Sequence, residues 1–166
     1  MTVSAQIGLF GLPSLEELAA EAASFVVDQA DTFIDGPWTA TVHAPPGVEW
    51  MTANKRYHWA QRARLTRPWR AAGLAAAQAA NLPLDLERIH LAVVVHLPRR
   101  SRIRDAENLR PTVKAAIDGL VGDYGLCADD SDRHLEGTDL RRGAKETHPA
   151  EPGRLVFTIT RRDPQP

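Results

Sequence analysis

Apolar positions along the chain switch between helical and alternating spacing, and the switches mark out its elements. Leu15, Leu18, Ala22, Phe25, Val26 and Phe33 follow Ser14 and Glu17, a capping-box pair, so a helix is expected over about residues 15–31. Gly36-Pro37 ends it. Trp38 to His43 alternates bulky and small residues as a strand does, and Pro45-Pro46-Gly47 closes it. A polar and aromatic stretch, Trp50 to Trp59, leads into an alanine-rich helix of about residues 60–81, stopped by Asn81 and Pro83. Arg88 to Leu97 is the strongest strand signal, and its continuous apolar centre predicts burial on both faces.

An arginine loop, residues 98–104, precedes a helix expected over about 109–121 with Leu109, Val113, Ala116, Ile117 and Leu120 on its apolar face. Pro111 is tolerated in its first turn, where N–H groups lack partners, and Asn108 is a suitable N-cap. A Gly- and Asp-rich loop, a strand around 134–141, a mobile turn over 143–153 and a closing strand from Arg154 to Thr160 complete the pattern. The order α-β-α-β-α-β-β predicts an α/β (α+β) fold with a mixed sheet of about four strands. No repeat or low-complexity tract interrupts it.

The 166 residues suffice for one core-forming domain with an appendage. Cys127 is the only cysteine, which excludes a disulfide framework and a zinc quartet and fits a reducing compartment. The N-terminus lacks a basic n-region, and no apolar run nears the roughly 18 residues that span a bilayer. A soluble, cytoplasmic protein with no membrane partner is expected.

The formal charge of −1 conceals a strong segregation. Residues 1–53 carry seven acids and no Lys or Arg, whereas residues 54–104 carry eleven bases against Asp85 and Glu87 alone. Such a local excess captures phosphate backbones, although a solvated basic face has the same composition. Acidic residues follow at once: Asp105 and Glu107 before the helix, Asp118 along it, Asp129 and Asp130 in the next loop. Mg²⁺ takes hard oxygen ligands, one or two carboxylates at a time, and leaves positions for water and phosphate. A helix start favours anions and their metal, so Asp105 and Glu107 suit an ion, with Asp130 closing the site. Arg110, Lys114 and Asp118 form one polar stripe, from which Lys114 could neutralise a developing phosphorane or protonate a leaving oxygen. Two plainer readings stand beside this: Asp129 to Asp132 as a simple turn, and Asp118 as an ion-pair partner of Arg110 or Lys114.

Three blocks resemble the RusA family of Holliday-junction resolvases. They are Thr52-Ala53-Asn54-Lys55-Arg56-Tyr57-His58-Trp59; Arg99-Arg100-Ser101-Arg102-Ile103-Arg104-Asp105-Ala106-Glu107-Asn108-Leu109 continued by Lys114-Ala115-Ala116-Ile117-Asp118-Gly119-Leu120; and Leu126-Cys127-Ala128-Asp129-Asp130. Gly153 to Thr160 resembles the family's closing strand, and the whole likeness covers roughly residues 38–162. It implies a RusA-like endonuclease domain over 37–162, with residues 1–36 a helical extension that has no counterpart. It also implies a Mg²⁺-dependent endonuclease, Mn²⁺ substituting, that resolves four-way junctions in DNA recombination and repair by paired symmetric nicks. A homodimer follows, because two-fold symmetry matches two sites to a two-fold junction. Asp105, Glu107 and Asp130 stand at the catalytic, metal-binding carboxylates and Lys114 at the catalytic lysine. Asn54, Lys55, Arg56, Arg62, Arg64, Arg99, Arg100, Arg102 and Arg104 form the DNA-binding set. The chain departs from the pattern twice: Glu107 replaces the usual Asp, and three extra residues lie between Asn108 and Lys114, nearly one helical turn.

Other readings of the same residues are a non-catalytic DNA-binding relic, for which Glu107 is the one support, and a nuclease acting on forks, flaps or RNA. His43, His90 and His96 read as strand residues rather than ligands, while His58 and His134 lie nearer the DNA side. Trp59 and Trp69 could stack on bases, but tryptophans beside an alanine-rich helix read first as core. Cys127 reads as a small buried residue.

Overall fold

A computed structural model describes residues 36–148 and 150–163. The helix expected over 15–31, and with it almost all of the 1–36 extension, lies outside the described residues.

The elements run β1 (Trp38–His43), α1 (Trp59–Ala79), β2 (Ile89–His96), a 3-10 turn (Glu107–Leu109), α2 (Arg110–Asp118), a π-helical turn (Gly119–Asp123), β3 (Leu135–Arg142) and β4 (Arg154–Arg161). The strands form one mixed sheet in the order β1-β4-β2-β3. β4 lies antiparallel to β1 and to β2, whereas β3 runs parallel to β2. The long connection that parallel neighbours require carries the arginine loop and α2.

Alternation puts Ala40 and Val42 of β1, Ile89, Leu91, Val93 and Val95 of β2, and Leu155, Phe157 and Ile159 of β4 on one buried face. Small lies across from large: Phe157 is in register with Ala40 on one side and Val93 on the other. β2 departs from the expectation of burial on both faces. Its pattern alternates strictly, with His90, Ala92, Val94 and His96 only half-buried. Ala92 and Val94 made the run look continuous, yet they belong to the less buried face.

α1 offers that core Leu65, Trp69, Gly73, Ala76 and Ala77, a stripe at helical spacing. α2 adds Thr112, Val113, Ala115, Ala116 and Ile117. The two helices approach backbone to backbone, because an added Cβ at Gly73 would stand 2.2 Å from the Ala116 carbonyl oxygen and one at Gly119 2.0 Å from that of Arg70. Arg70 then reaches over to Asp123, Nε to Oδ2 at 2.5 Å.

The start of α2 differs from the expected cap. Asn108 lies inside the 3-10 turn, and the carboxylate of Asp105 accepts the Glu107 N–H at 3.0 Å instead. Pro111 occupies the first turn of α2, where its missing N–H costs nothing. The segment after β3 is fastened rather than loose: Gly143 N–H donates to Val95 O at 3.0 Å, Glu146 N–H to Leu97 O at 2.9 Å, and buried Glu146 accepts from Arg154 at 2.6 Å. Among the described residues no helix is long and apolar enough to cross a membrane.

Candidate nucleic-acid interface and carboxylate site

Two distant segments are stitched together at the start of α2. Ala53 N–H donates to Asn108 O at 2.8 Å, and the buried Thr112 hydroxyl donates to Met51 O at 2.9 Å. These bonds hold the segment containing Asn54 against the end of the arginine loop. Between them lies a cavity of about 470 Å³ lined by Thr52, Asn54, Arg102, Ile103, Arg104, Asp105 and Asn108.

A second cavity, about 400 Å³, shares Thr52 with the first and is lined by Met51, Ala53, Lys55, Arg56, Tyr57, Arg62 and Pro111. A third, about 480 Å³, shares Arg102, Ile103 and Arg104 and adds Ser101, Arg142 and Lys145. The three adjoin through these shared residues, and their combined charged lining is Lys55, Arg56, Arg62, Arg102, Arg104, Arg142 and Lys145 against one carboxylate, Asp105. Seven cations facing a single anion make a strongly positive track. Lys55 is partly spoken for, since its ammonium donates to Glu49 at 2.7 Å and that bond holds it above its ordinary pKa. Arg64, Arg99 and Arg100 are exposed and line none of these three cavities.

The carboxylates fall into two groups. Asp105 and Glu107 lie at the helix start, where the Glu107 carboxylate accepts from Arg110 Nε at 2.5 Å. Further along α2, Lys114 donates to Asp118 Oδ1 at 2.6 Å and also to Asp130. The π-helical turn makes this second meeting possible. It ends α2 with Tyr124 N–H donating to Gly119 O at 3.0 Å, and the chain then runs beside Leu86, whose N–H donates to Leu126 O at 2.9 Å. Asp130 is thereby returned to the face of α2 that carries Lys114. Seven residues of helix, roughly 10 Å of rise, separate Glu107 from Lys114. Asp118 pairs with Lys114, as one of the plainer readings had it. Asp129 closes a turn by accepting the Ser131 N–H at 2.8 Å, and Ser131's hydrogen bonds hold its carboxyl below the usual range.

The donor chemistry suits a hard divalent ion, for Asp105 and Glu107 are exposed carboxylates two residues apart at a helix start. Asp130 is turned to Lys114 instead, and among the described residues no three His, Cys, Asp or Glu side chains come together as a ligand group.

Several neighbours sort themselves physically. His58 caps α1, its Nδ1 accepting the Ala60 N–H at 3.4 Å. Trp69 is fully buried, but Trp59 is 77% exposed beside the His58 ring, against the core reading. It lies six residues before Leu65, about 240° around the helix from the buried stripe. Cys127 is buried, and burial with the charge of Asp129 pushes its thiol up to about 11. Arg142 and Lys145 were missed by sequence reading. The only signal was strand parity, which places Arg142 on the same face as Leu140 and needs the sheet order to be interpreted. No protein-family model matches the chain, and no curated protein matches it.

Proposed function

We propose that the protein is a Mg²⁺-dependent, structure-selective DNA endonuclease that acts as a homodimer and resolves four-way junctions by paired symmetric nicks. The observation that carries this reading is the run of three cavities, cationic along its length, with Asp105 as the single carboxylate lining it. A polyanion drawn along such a track passes directly beside that carboxylate.

Phosphate contacts position a duplex without reading its sequence, which suits a protein that selects branched shape. Arg56, Arg62, Arg102 and Arg104 supply such contacts, each with a planar fork for phosphate oxygens. Asn54 lines the same cavity as Asp105, and its amide can donate to a phosphate there. Asp105 and Glu107 would hold the ion, which when bound supplies a polarised phosphate and an activated water; Asp130, engaged with Lys114, is not placed to join them. Lys114 is ion-paired with Asp118 and Asp130, and its part in this reading is to protonate the leaving oxygen once a bound phosphate draws its ammonium away from those carboxylates. Arg110, paired with Glu107, stands one turn earlier on that stripe.

The test is incubation of the full chain with end-labelled four-way junction, fork, duplex and single strand, with Mg²⁺, with Mn²⁺ and with chelator. Paired nicks in opposing strands of the junction, dependent on the ion, are expected. Tight junction binding with no cleavage under any condition would leave a DNA-binding protein, and faster cutting of forks would change the substrate.

A further inference from the structure

We infer that Arg142 and Lys145, together with Arg102 and Arg104, form a second phosphate-binding site that takes the nucleic-acid backbone beyond Asp105. The inference rests on the nuclease reading for its ligand and adds Arg142 and Lys145, which neither the sequence pattern nor the family likeness supplies.

Four observations converge on it. The cavity of about 480 Å³ has Arg102, Arg104, Arg142 and Lys145 as its charged lining and no carboxylate. The cations come from two separate parts of the fold, the arginine loop and the end of edge strand β3, so their meeting is a product of tertiary structure. Two of them are oriented: Arg142 Nη1 donates to Arg104 O at 2.9 Å, and Lys145 Nζ donates to Ser101 O at 2.6 Å. Each bond uses one donor of a guanidinium with five or an ammonium with three, and the rest are left for a ligand. Finally, Arg102, Ile103 and Arg104 also line the cavity of Asp105, so whatever occupies one lies next to the other.

Four like charges around one cavity repel, and the repulsion is relieved by a multiply charged oxyanion that accepts from several at once. A phosphodiester backbone meets that demand repeatedly along its length. The site therefore adjoins the Asp105 cavity through Arg102 to Arg104, as the cavity of Arg56 and Arg62 adjoins it through Thr52. Cationic cavities adjoining that of Asp105 through two different sets of lining residues suit an internal phosphodiester better than a chain end.

The experiment compares junction affinity from 50 to 200 mM salt for the wild type, the pair Arg142→Gln with Lys145→Gln, and a control pair, Arg133→Gln with Arg141→Gln. Arg141 adjoins Arg142 but belongs to the opposite sheet face, opposite Val94 rather than Val95. Two lost contacts lower the slope of log K against log salt by about 1.8, so over that fourfold range the wild type loses roughly twelvefold more affinity than the test pair. The control pair keeps the wild-type slope. Equal slopes for both pairs, or no change in either, overturn the inference while leaving the DNA reading intact. A second arm titrates inorganic phosphate and follows side-chain NMR signals of Arg142 and Lys145. If DNA is not bound yet phosphate moves both signals, the site stands and the nuclease reading falls. If neither ligand has an effect, both fall.

Discussion

Gly73→Ala opposes two effects of known size, and the outcome tests how α1 and α2 are packed. In an exposed helix interior, Gly to Ala is worth about 1 kcal/mol of stability through propensity. At Gly73 the added methyl would stand 2.2 Å from Ala116 O and 3.1 Å from the same carbonyl carbon. Even close C–H···O contacts between packed backbones keep the carbon about 3.3–3.6 Å from the oxygen, so relief needs the helices to part by about 1 Å. The obstacle is a main-chain carbonyl that cannot swing aside, and overpacking of this sort costs about 1–3 kcal/mol or more. The contact should win, with a net loss near 2 kcal/mol and a fall in Tm of about 6 °C for a chain of this size. Gly122→Ala is the control, since its methyl would meet only the flexible Arg70 Nη2 at 3.6 Å, and it should be neutral or mildly stabilising. Urea unfolding by circular dichroism measures both. A Gly73→Ala protein as stable as wild type, or more so, refutes the close approach of the two helices.

Asp105→Asn should abolish nicking and leave junction affinity unchanged or higher, since it removes the one carboxylate from a cationic track; near wild-type cleavage in Mg²⁺ would sink its role. Glu107→Asp should retain activity, whereas Glu107→Gln should cost orders of magnitude and raise the Mg²⁺ midpoint, because an amide supplies no charge to the ion. If Glu107→Gln matches wild type at limiting Mg²⁺, Glu107 serves Arg110 alone. Trp59→Ala should weaken binding to junctions with unpaired bases by about 1–3 kcal/mol while leaving Tm unchanged, since the ring touches no core. Equal loss on fully paired DNA would exclude stacking. Cys127 titrates upward in the fold, to about 11 from 9.0, so the native thiolate fraction at neutral pH is about a hundredfold below that of the unfolded chain. Ellman's reagent at pH 8 should react rapidly only after denaturation. Because the unfolded thiol loses its proton first, this group's contribution to stability declines as pH rises from 9 through 11, and fast native reaction at pH 8 would contradict the burial.

Elements whose signals are local were legible. Trp38–His43 matches the expected strand end to end, and the bounds of β2, β4 and α1 shift only at their termini, although β2 is buried on one face and not on both. Sheet order was not, because β1-β4-β2-β3 is decided by pairings between distant segments that no short window contains. Trp59 was misread for a related reason, since proximity to an alanine-rich helix says nothing about which side of it a residue occupies. Gly73 looked like one more small residue in an alanine run, when its missing Cβ fixes how near α2 can come. At the site, the residues of the Asn54 and Asp105 blocks could be named from the sequence, but their meeting in one cavity depends on Thr112 and Ala53 finding distant backbone partners. Arg142 and Lys145 belong to no motif at all. They reach the arginine loop only because β3 runs parallel to β2 and ends beside it.

That sheet order also sets a timetable for biosynthesis. β4 is the last strand made, yet it is a central one, filling the gap between β1 and β2. Trp38 must wait for Ile159 and Leu91 for that same Ile159 before their backbones are satisfied. A nascent chain therefore carries two apolar strands without their antiparallel partner until Arg154–Arg161 has been made, and the loop entropy of closing such distant pairs slows that step. A chain that stops before Arg154 would lack the strand that fills the middle of the sheet and leave the apolar edges of β1 and β2 open to other chains.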